Sequence, residues 1–266
     1  MRKRSLVVGL LAAAATAVSG VAATGALAAP ADTKDDVQPY IVGGHEATEE
    51  YSFIVSLQQG GRHFCGGSLV AAEWVVTAAH CVEGTSPSSI QLRIGSNDRT
   101  SGGEVARAAS ITIHPDYDIA NDIAVIKLAA PVQATPIALG TSADVGTKSR
   151  ILGWGQTTPF PGADNGADYL QELDVSVVDP SGCRGGYIDP ATELCTDNPG
   201  GDSGACYGDS GGPQIAKEGG NWVLIGATSR SGGSSTCAIE PSIYTSTVAH
   251  ADWINDVTGG AVSAAS

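Results

Sequence analysis

Three short segments carry residue types that together can perform acyl chemistry. Thr77-Ala78-Ala79-His80-Cys81 follows the strand-like Trp74-Val75-Val76, and Asn121-Asp122-Ile123-Ala124-Val125-Ile126 sets an acid at the head of an apolar run. Gly208-Asp209-Ser210-Gly211-Gly212-Pro213 sets a serine among glycines. A serine hydroxyl attacks a carbonyl effectively only when a base takes its proton, a third group holds that base, and N–H donors meet the developing oxyanion. His80, Asp122 and Ser210 are the base, holder and nucleophile of such a set, and the glycines allow the tight turn that brings backbone amides to a substrate. His45, His63, His114 and His250 lack this context and are expected as surface or core residues.

Such groups need a rigid frame, and the recurrent pattern that supplies one has period two. Phe53, Val55 and Leu57, then Ile90, Leu92 and Ile94, Ile111 and Ile113, and Leu173, Val175 and Val177 alternate with other residues, as in strands with one buried face. Turn-forming clusters such as Gly95-Ser96-Asn97-Asp98 and Asp164-Asn165-Gly166 separate them. Many short strands without alternating helices predict an all-β chain of antiparallel sheet, a sandwich or barrel. Only the end reads as helical: Val248, Ala251, Ile254 and Val257 recur at spacing three, predicting a short C-terminal helix of roughly ten residues, followed by a flexible tail over residues 259–266.

Charge and cysteine usage narrow the setting. With 14 basic against 28 acidic residues and a net charge of -14, the chain lacks the cationic surface that phosphate binding requires, so neither nucleic acid nor an anionic membrane is expected as a partner. Arg2, Lys3 and Arg4, an apolar stretch to about Val18, and Ala26-Leu27-Ala28 have the layout of a secretory signal over residues 1–28, cleaved after Ala28 in preference to Ala29. Residues 29–40 are polar and proline-bounded up to the abrupt Ile41-Val42-Gly43-Gly44, which reads as a propeptide. Cys65, Cys81, Cys183, Cys195, Cys206 and Cys237 are even in number, as expected of three disulfides in an exported chain, and counting alone leaves fifteen connectivities open. No Cys-x-x-Cys element suggests zinc.

The three motifs, in the order His, Asp, Ser, together with Ile41-Val42-Gly43-Gly44 and His63-Phe64-Cys65-Gly66-Gly67-Ser68-Leu69, resemble the chymotrypsin and trypsin family of serine endopeptidases from Ile41 to about Val257. The resemblance implies two six-stranded antiparallel β-barrels over residues 41–258, with the site in the cleft between them. It implies Ser210 as nucleophile, His80 as general base, Asp122 as its buried partner, and the N–H groups of Gly208 and Ser210 as oxyanion hole. It also implies the disulfides Cys65–Cys81, Cys183–Cys195 and Cys206–Cys237, a monomer, protein or peptide substrates, and no cofactor. Gly201-Asp202-Ser203-Gly204 repeats part of the nucleophile motif seven residues upstream, but it lacks the following Gly-Pro and the cysteine four residues before the serine, so Ser203 is expected in a loop.

Two further expectations rest on the resemblance. Cleavage before Ile41 would free an α-amino group to pair with Asp209 and order the oxyanion hole; Tyr40 precedes the bond where related precursors carry a basic residue, so the activating protease, or the enzyme itself, must accept tyrosine. The pocket for the residue before the scissile bond would be built from Gly204, Ala205, Tyr207, Ser229, Ser231 and Ser242. Trypsins carry aspartate six residues before the nucleophile, where this chain has Gly204, so a neutral apolar or aromatic side chain is expected over Lys or Arg. The alternatives are trypsin-like specificity restored by Asp202 or Glu240, an esterase or amidase acting on small substrates, and a non-catalytic protease-like binding protein. Arg230 replaces the usual tryptophan of the substrate-pairing strand and is expected to project into solvent, the alternative being that it binds acidic substrate residues a few positions from the cut. Asp98 and Glu104 flank a loop that binds calcium in some relatives, but two acids on a short loop predict no metal site.

Overall fold

The structure, a computed structural model, describes residues 41–265. The signal peptide and propeptide expected over residues 1–40 lie outside the described residues. Fourteen strands follow in order: β1 (His45–Glu46), β2 (Ile54–Gln59), β3 (Arg62–Ala71), β4 (Trp74–Thr77), β5 (Gln91–Ile94), β6 (Glu104–Ile113), β7 (Ala124–Leu128), β8 (Ala138–Leu139), β9 (Lys148–Gly153), β10 (Gln171–Val178), β11 (Glu193–Thr196), β12 (Pro213–Glu218), β13 (Asn221–Ser231) and β14 (Ser242–Ser246). Among the described residues there are also two short α-helices, α1 (Ala79–Val82) after β4 and α2 (Ala251–Val257) near the end, and three short 3-10 helices over Pro87–Ser89, Pro180–Gly186 and Pro199–Gly201.

The strands close into two six-stranded antiparallel barrels. The first runs β2-β3-β4-β7-β6-β5 and returns to β2. The second runs β9-β10-β11-β14-β13-β12 and returns to β9; β1 adds to the edge of β10, and β8 lies parallel to β13. Closure leaves no long strand edge unpaired, and the alternating apolar residues fill the interiors. Leu92 and Ile94 of β5 are fully buried in the first core and Val175 and Val177 of β10 in the second, whereas β2 departs from strict alternation because Ile54 is buried along with Val55 and Leu57. That is the pattern of a strand covered on both faces.

Three disulfides are present, Cys65–Cys81, Cys183–Cys195 and Cys206–Cys237, with Cα separations of 6.3, 5.8 and 5.2 Å. Among the described residues no helix is long and apolar enough to cross a membrane.

Two details at the carboxyl end differ from the sequence expectation. The helix is shorter than ten residues because Val248 belongs to the turn that leaves β14, where the side chain of Thr247 bonds the Leu224 carbonyl at 3.0 Å and that of His250 bonds the Ser246 carbonyl at 2.7 Å. The tail does not run free of the barrel: Leu139 N–H donates to Ser263 O at 3.0 Å and Ala265 N–H to Leu139 O at 2.9 Å, so the chain end extends the exposed side of the two-residue strand β8.

Candidate active site

Strand pairing brings the base and the acid together. In the antiparallel β4–β7 ladder Thr77 faces Ala124, so the residues just after β4 meet those just before β7. His80 stands on α1, which Cys65–Cys81 ties back to β3, and Asp122 ends the turn into β7. That turn is fixed by Asn121, which adopts a left-handed backbone conformation (φ 52°) that asparagine tolerates better than most residues. Its side chain spans Asp116 O at 3.2 Å and His250 Nε2 at 3.0 Å, giving the buried His250 a positioning task within the core.

The Asp122 carboxylate grips His80 twice. Oδ1 accepts the His80 backbone N–H at 2.9 Å, and Oδ2 lies 2.6 Å from the ring Nδ1, which leaves Nε2 on the side away from Asp122, 3.8 Å from the Cys81 sulfur. The Ser229 hydroxyl donates to Oδ2 at 2.7 Å, and Thr245 donates to the Asp122 carbonyl at 3.0 Å. Burial pushes the Asp122 carboxyl up, but the hydrogen bonds and charge of His80, with the Ser229 hydroxyl, outweigh it and hold the group below the ordinary carboxylate range. Ser229 was placed in the substrate pocket by sequence; the structure also gives it this second contact, because a β-bulge between Thr228 and Arg230 in the β13–β14 ladder turns it toward Asp122.

Ser210 sits in a loop whose path depends on glycine. Gly208 (φ 99°) and Gly211 (φ 75°) have left-handed backbones, and a Cβ at Gly211 would lie 2.2 Å from Thr77 Oγ1 and 2.6 Å from Gly66 O. Gly66 N–H in turn donates to Ser210 O at 2.8 Å, joining the first barrel to the serine loop. Strain and collision coincide at position 211, so Gly211→Ala is expected to destabilise the fold by about 3 kcal/mol or more. A thermal or denaturant melt against wild type checks this; an unchanged midpoint would contradict it. Among the described residues neither Gly208 N–H nor Ser210 N–H donates to a protein acceptor, so both remain available to an oxyanion. The Gly208 carbonyl is held by His63 Nε2 at 2.9 Å, and Ser56 Oγ holds the other ring nitrogen at 2.8 Å. Burial pushes the His63 imidazole down to about 4, so the ring is neutral and can bridge these groups. The sequence expectation of a surface or core residue for His63 did not include this support of the serine loop.

Asp209 is buried beside the nucleophile, its oxygens accepting Gly155 N–H at 2.8 Å and Cys206 N–H at 2.9 Å. Burial outweighs those bonds and pushes its carboxyl up to about 7. Ile41 is also buried, in the core of the second barrel, and Val42 O accepts Gly204 N–H at 2.8 Å. The upstream Ser203 packs against Gly43 and lies outside the cavity that holds Ser210.

His80 and Ser210 line one cavity of about 440 Å³. Ala205, Tyr207, Ser229, Ser231 and Ser242 line it too, while Gly204 lies just behind, its missing Cβ position 3.9 Å from Ser242 Oγ. Ala238, Ser234, Ser235 and the Cys206–Cys237 disulfide form a wall that the sequence reading did not include. Tyr207 spans the opening and donates its hydroxyl to Ser235 O at 2.8 Å. Among the described residues no carboxylate lines this cavity: Asp202 is exposed, and Glu240 turns one oxygen into the protein beside Gly233.

Arg230 does not project into solvent as expected. Its guanidinium meets the buried Glu193 carboxylate through two bonds, Nη1 to Oε1 at 2.6 Å and Nη2 to Oε2 at 2.9 Å, because β14 carries β11 and β13 on its two sides and so brings their side chains within reach. The acids of the possible calcium loop are likewise engaged: Asp98 accepts from Thr100 and Ser101, and Glu104 from the backbone of Gln133 and Ala134. Among the described residues one His and Cys cluster, Cys65, His80 and Cys81, has metal-like spacing, but both of its sulfurs are consumed in a disulfide.

A sequence model of the Trypsin family matches residues 41–254. The chain is 36% identical over 235 residues to a protein named Trypsin from Saccharopolyspora erythraea, covering 84% of this chain and all of that one. It is 37% identical over 250 residues to Trypsin II-P29 from Gallus gallus, with 87% and 93% covered, and 36% identical over 262 residues to Trypsin-3 from Homo sapiens, with 91% and 79% covered. A family match over most of the chain, two closed antiparallel barrels, and an aspartate-held histidine sharing a cavity with a serine agree on one conclusion: the chain belongs to the trypsin family and is a serine endopeptidase, acting on proteins or peptides.

Proposed function

We propose that this is an exported, monomeric endopeptidase, made as a precursor and active once its chain begins at Ile41, that cleaves after neutral apolar or aromatic residues by way of an acyl-enzyme on Ser210. His80 Nε2 takes the hydroxyl proton as Ser210 Oγ attacks the scissile carbonyl, and later gives it to the departing amine. Asp122 keeps the Nδ1 proton in place and stabilises the imidazolium that forms. The N–H groups of Gly208 and Ser210 receive the oxyanion, each such donor contributing about 3 kcal/mol in the transition state. Water then repeats the sequence on the acyl-enzyme with His80 again as base. The doubly anchored His80 at the mouth of the Ser210 cavity carries this reading. Export is supported by the signal-like residues 1–28 and the three disulfides.

The preference for neutral residues follows from the cavity wall. A Lys or Arg side chain entering it would meet hydroxyls, Ala238 and a disulfide, with no carboxylate to pair its charge. The second reading, cleavage after Lys or Arg, is favoured by the name trypsin borne by the relatives. Peptides differing only in the residue before the scissile bond (Tyr, Phe, Leu, Ala, Arg, Lys) separate the two. The neutral-pocket reading expects kcat/KM at least about 100-fold lower for Arg and Lys than for the best neutral residue, the cost of an unpaired cation. Arg or Lys as the best substrate would overturn the pocket reading and leave the nucleophile in place; no turnover of any peptide by the Ile41 form would favour a binding protein.

A further inference from the structure

The mechanism above uses Asp122 and His80 but not the charged pair lying behind them, and the pair is wired to both. All five N–H groups of Arg230 are engaged: Nε with Gly186 O at 2.9 Å, Nη1 with Glu193 Oε1 and with Ser229 Oγ at 3.1 Å, Nη2 with Glu193 Oε2 and with Tyr187 O at 3.2 Å. Glu193 is fully buried at its side chain and Arg230 largely so, which makes this a fixed fork and not a surface contact. A hydroxyl has one proton to give, and the Arg230 donor occupies a lone pair of Ser229, so that proton is left to point at Asp122 Oδ2, 2.7 Å away. The bulge at Ser229 lies between Thr228 and Arg230, so the Ser229 hydroxyl meets the Arg230 guanidinium on one side and Asp122 Oδ2 on the other.

We propose that Arg230, locked by Glu193, is a positioning residue of the catalytic site: it fixes the Ser229 hydroxyl as a polarised donor to Asp122 and thereby sets how strongly Asp122 holds the His80 imidazolium. The chain Glu193, Arg230, Ser229, Asp122, His80 runs without a gap. With every donor spent and its charge balanced, Arg230 offers nothing to an acidic residue of the substrate. The inference rests on His80 acting as the general base.

The signs are opposite for two variants. Removing the polarised donor leaves more negative charge on Asp122, which favours the imidazolium, so Glu193→Gln/Arg230→Gln, which leaves no buried charge unpaired, is expected to move the acid limb of kcat/KM upward by about half a pH unit. Glu193→Gln alone leaves the Arg230 cation unbalanced and is expected to move the limb downward by a similar amount. The other groups near His80 and Asp122, namely Tyr117, Asp118, Glu83 and, behind Asn121, His250, are the same in all forms and do not produce opposed shifts.

The pH profiles of the Ile41 form and the two variants, with melting temperatures measured alongside, decide the matter. Opposed shifts support the proposal. Midpoints coinciding with wild type, whatever happens to the melting temperature, overturn it and leave the pair a structural brace. If the double variant does not fold, the single Glu193→Gln profile decides alone, a downward shift supporting the proposal and an unmoved limb overturning it. Failure of the general-base reading itself looks different, since activity would then survive replacement of His80.

Discussion

Ser210→Ala in the form beginning at Ile41 is expected to lower kcat on a good peptide substrate by about 10⁶-fold, and His80→Ala by a similar factor. The two losses should not add, because the hydroxyl without its base and the base without its hydroxyl are equally unable to start the reaction. Asp122→Asn is expected to cost about 10⁴-fold, since an amide facing Nδ1 selects the wrong tautomer while leaving the ring in place. The residual rate would come from the proposed oxyanion donors, the Gly208 and Ser210 amides, and from binding in the cavity. Ser203→Ala, at the imperfect copy of the motif, is expected to retain wild-type kcat, because Ser203 packs against Gly43 outside the cavity. Equal losses from Ser203→Ala and Ser210→Ala would contradict the assignment.

The second large effect concerns Asp209. With Ile41 still joined to Tyr40, the carboxyl has two backbone N–H partners and is pushed up to about 7 by burial, so the folded precursor binds this proton more tightly than the unfolded chain does. A folded-state value raised above the unfolded one contributes stability that is present below about pH 4 and lost as the pH rises to about 7, a swing of about 4 kcal/mol at 1.36 kcal/mol per unit. Carboxylates held below their ordinary range, such as Asp98 and Asp164, act in the opposite direction, so the informative quantity is the stability of wild type minus that of Asp209→Asn. In the precursor this difference is expected to fall across that window. In the Ile41 form the proposed pairing of the freed ammonium with the carboxylate would abolish the fall. There Asp209→Asn removes one partner of a buried pair, at a cost of about 3 to 5 kcal/mol. Since the Asp209 loop carries Gly208 and Ser210, the two proposed oxyanion donors, kcat/KM is expected to drop by about 10³-fold. Precursor and Ile41 forms with identical pH dependence and equal activity would contradict the charge switch.

How much of this was legible in the sequence depended on how local each signal is. His80, Asp122 and Ser210 lie in short motifs whose neighbours also encode the local backbone: Asn121 makes the turn before Asp122, and Gly208 and Gly211 make the turns around Ser210. The strands were visible as alternation at Leu92 and Ile94 or Val175 and Val177, because closed barrels bury one face of each strand. What escaped were partnerships set by register between distant strands. Arg230 finds Glu193 across thirty-seven positions of sequence, and no local pattern distinguishes that arginine from a solvated one. The bulge that aims Ser229 at Asp122 exists only in the pairing of β13 with β14. Likewise, the small residues 259–266 look unstructured by composition, and only the accessible side of β8 gives Ser263 and Ala265 a partner.

The most direct test of the central claim is to trap the acyl-enzyme. The form beginning at Ile41 would be mixed with an activated ester of a short peptide ending in tyrosine or leucine, quenched in acid within the first turnover, digested and mapped by mass. The account predicts one acyl group, carried by the peptide that contains Ser210 and absent from Ser203, with no adduct in Ser210→Ala or His80→Ala. Steady turnover of the substrate with no adduct at Ser210, or with the acyl group on another residue, would contradict it.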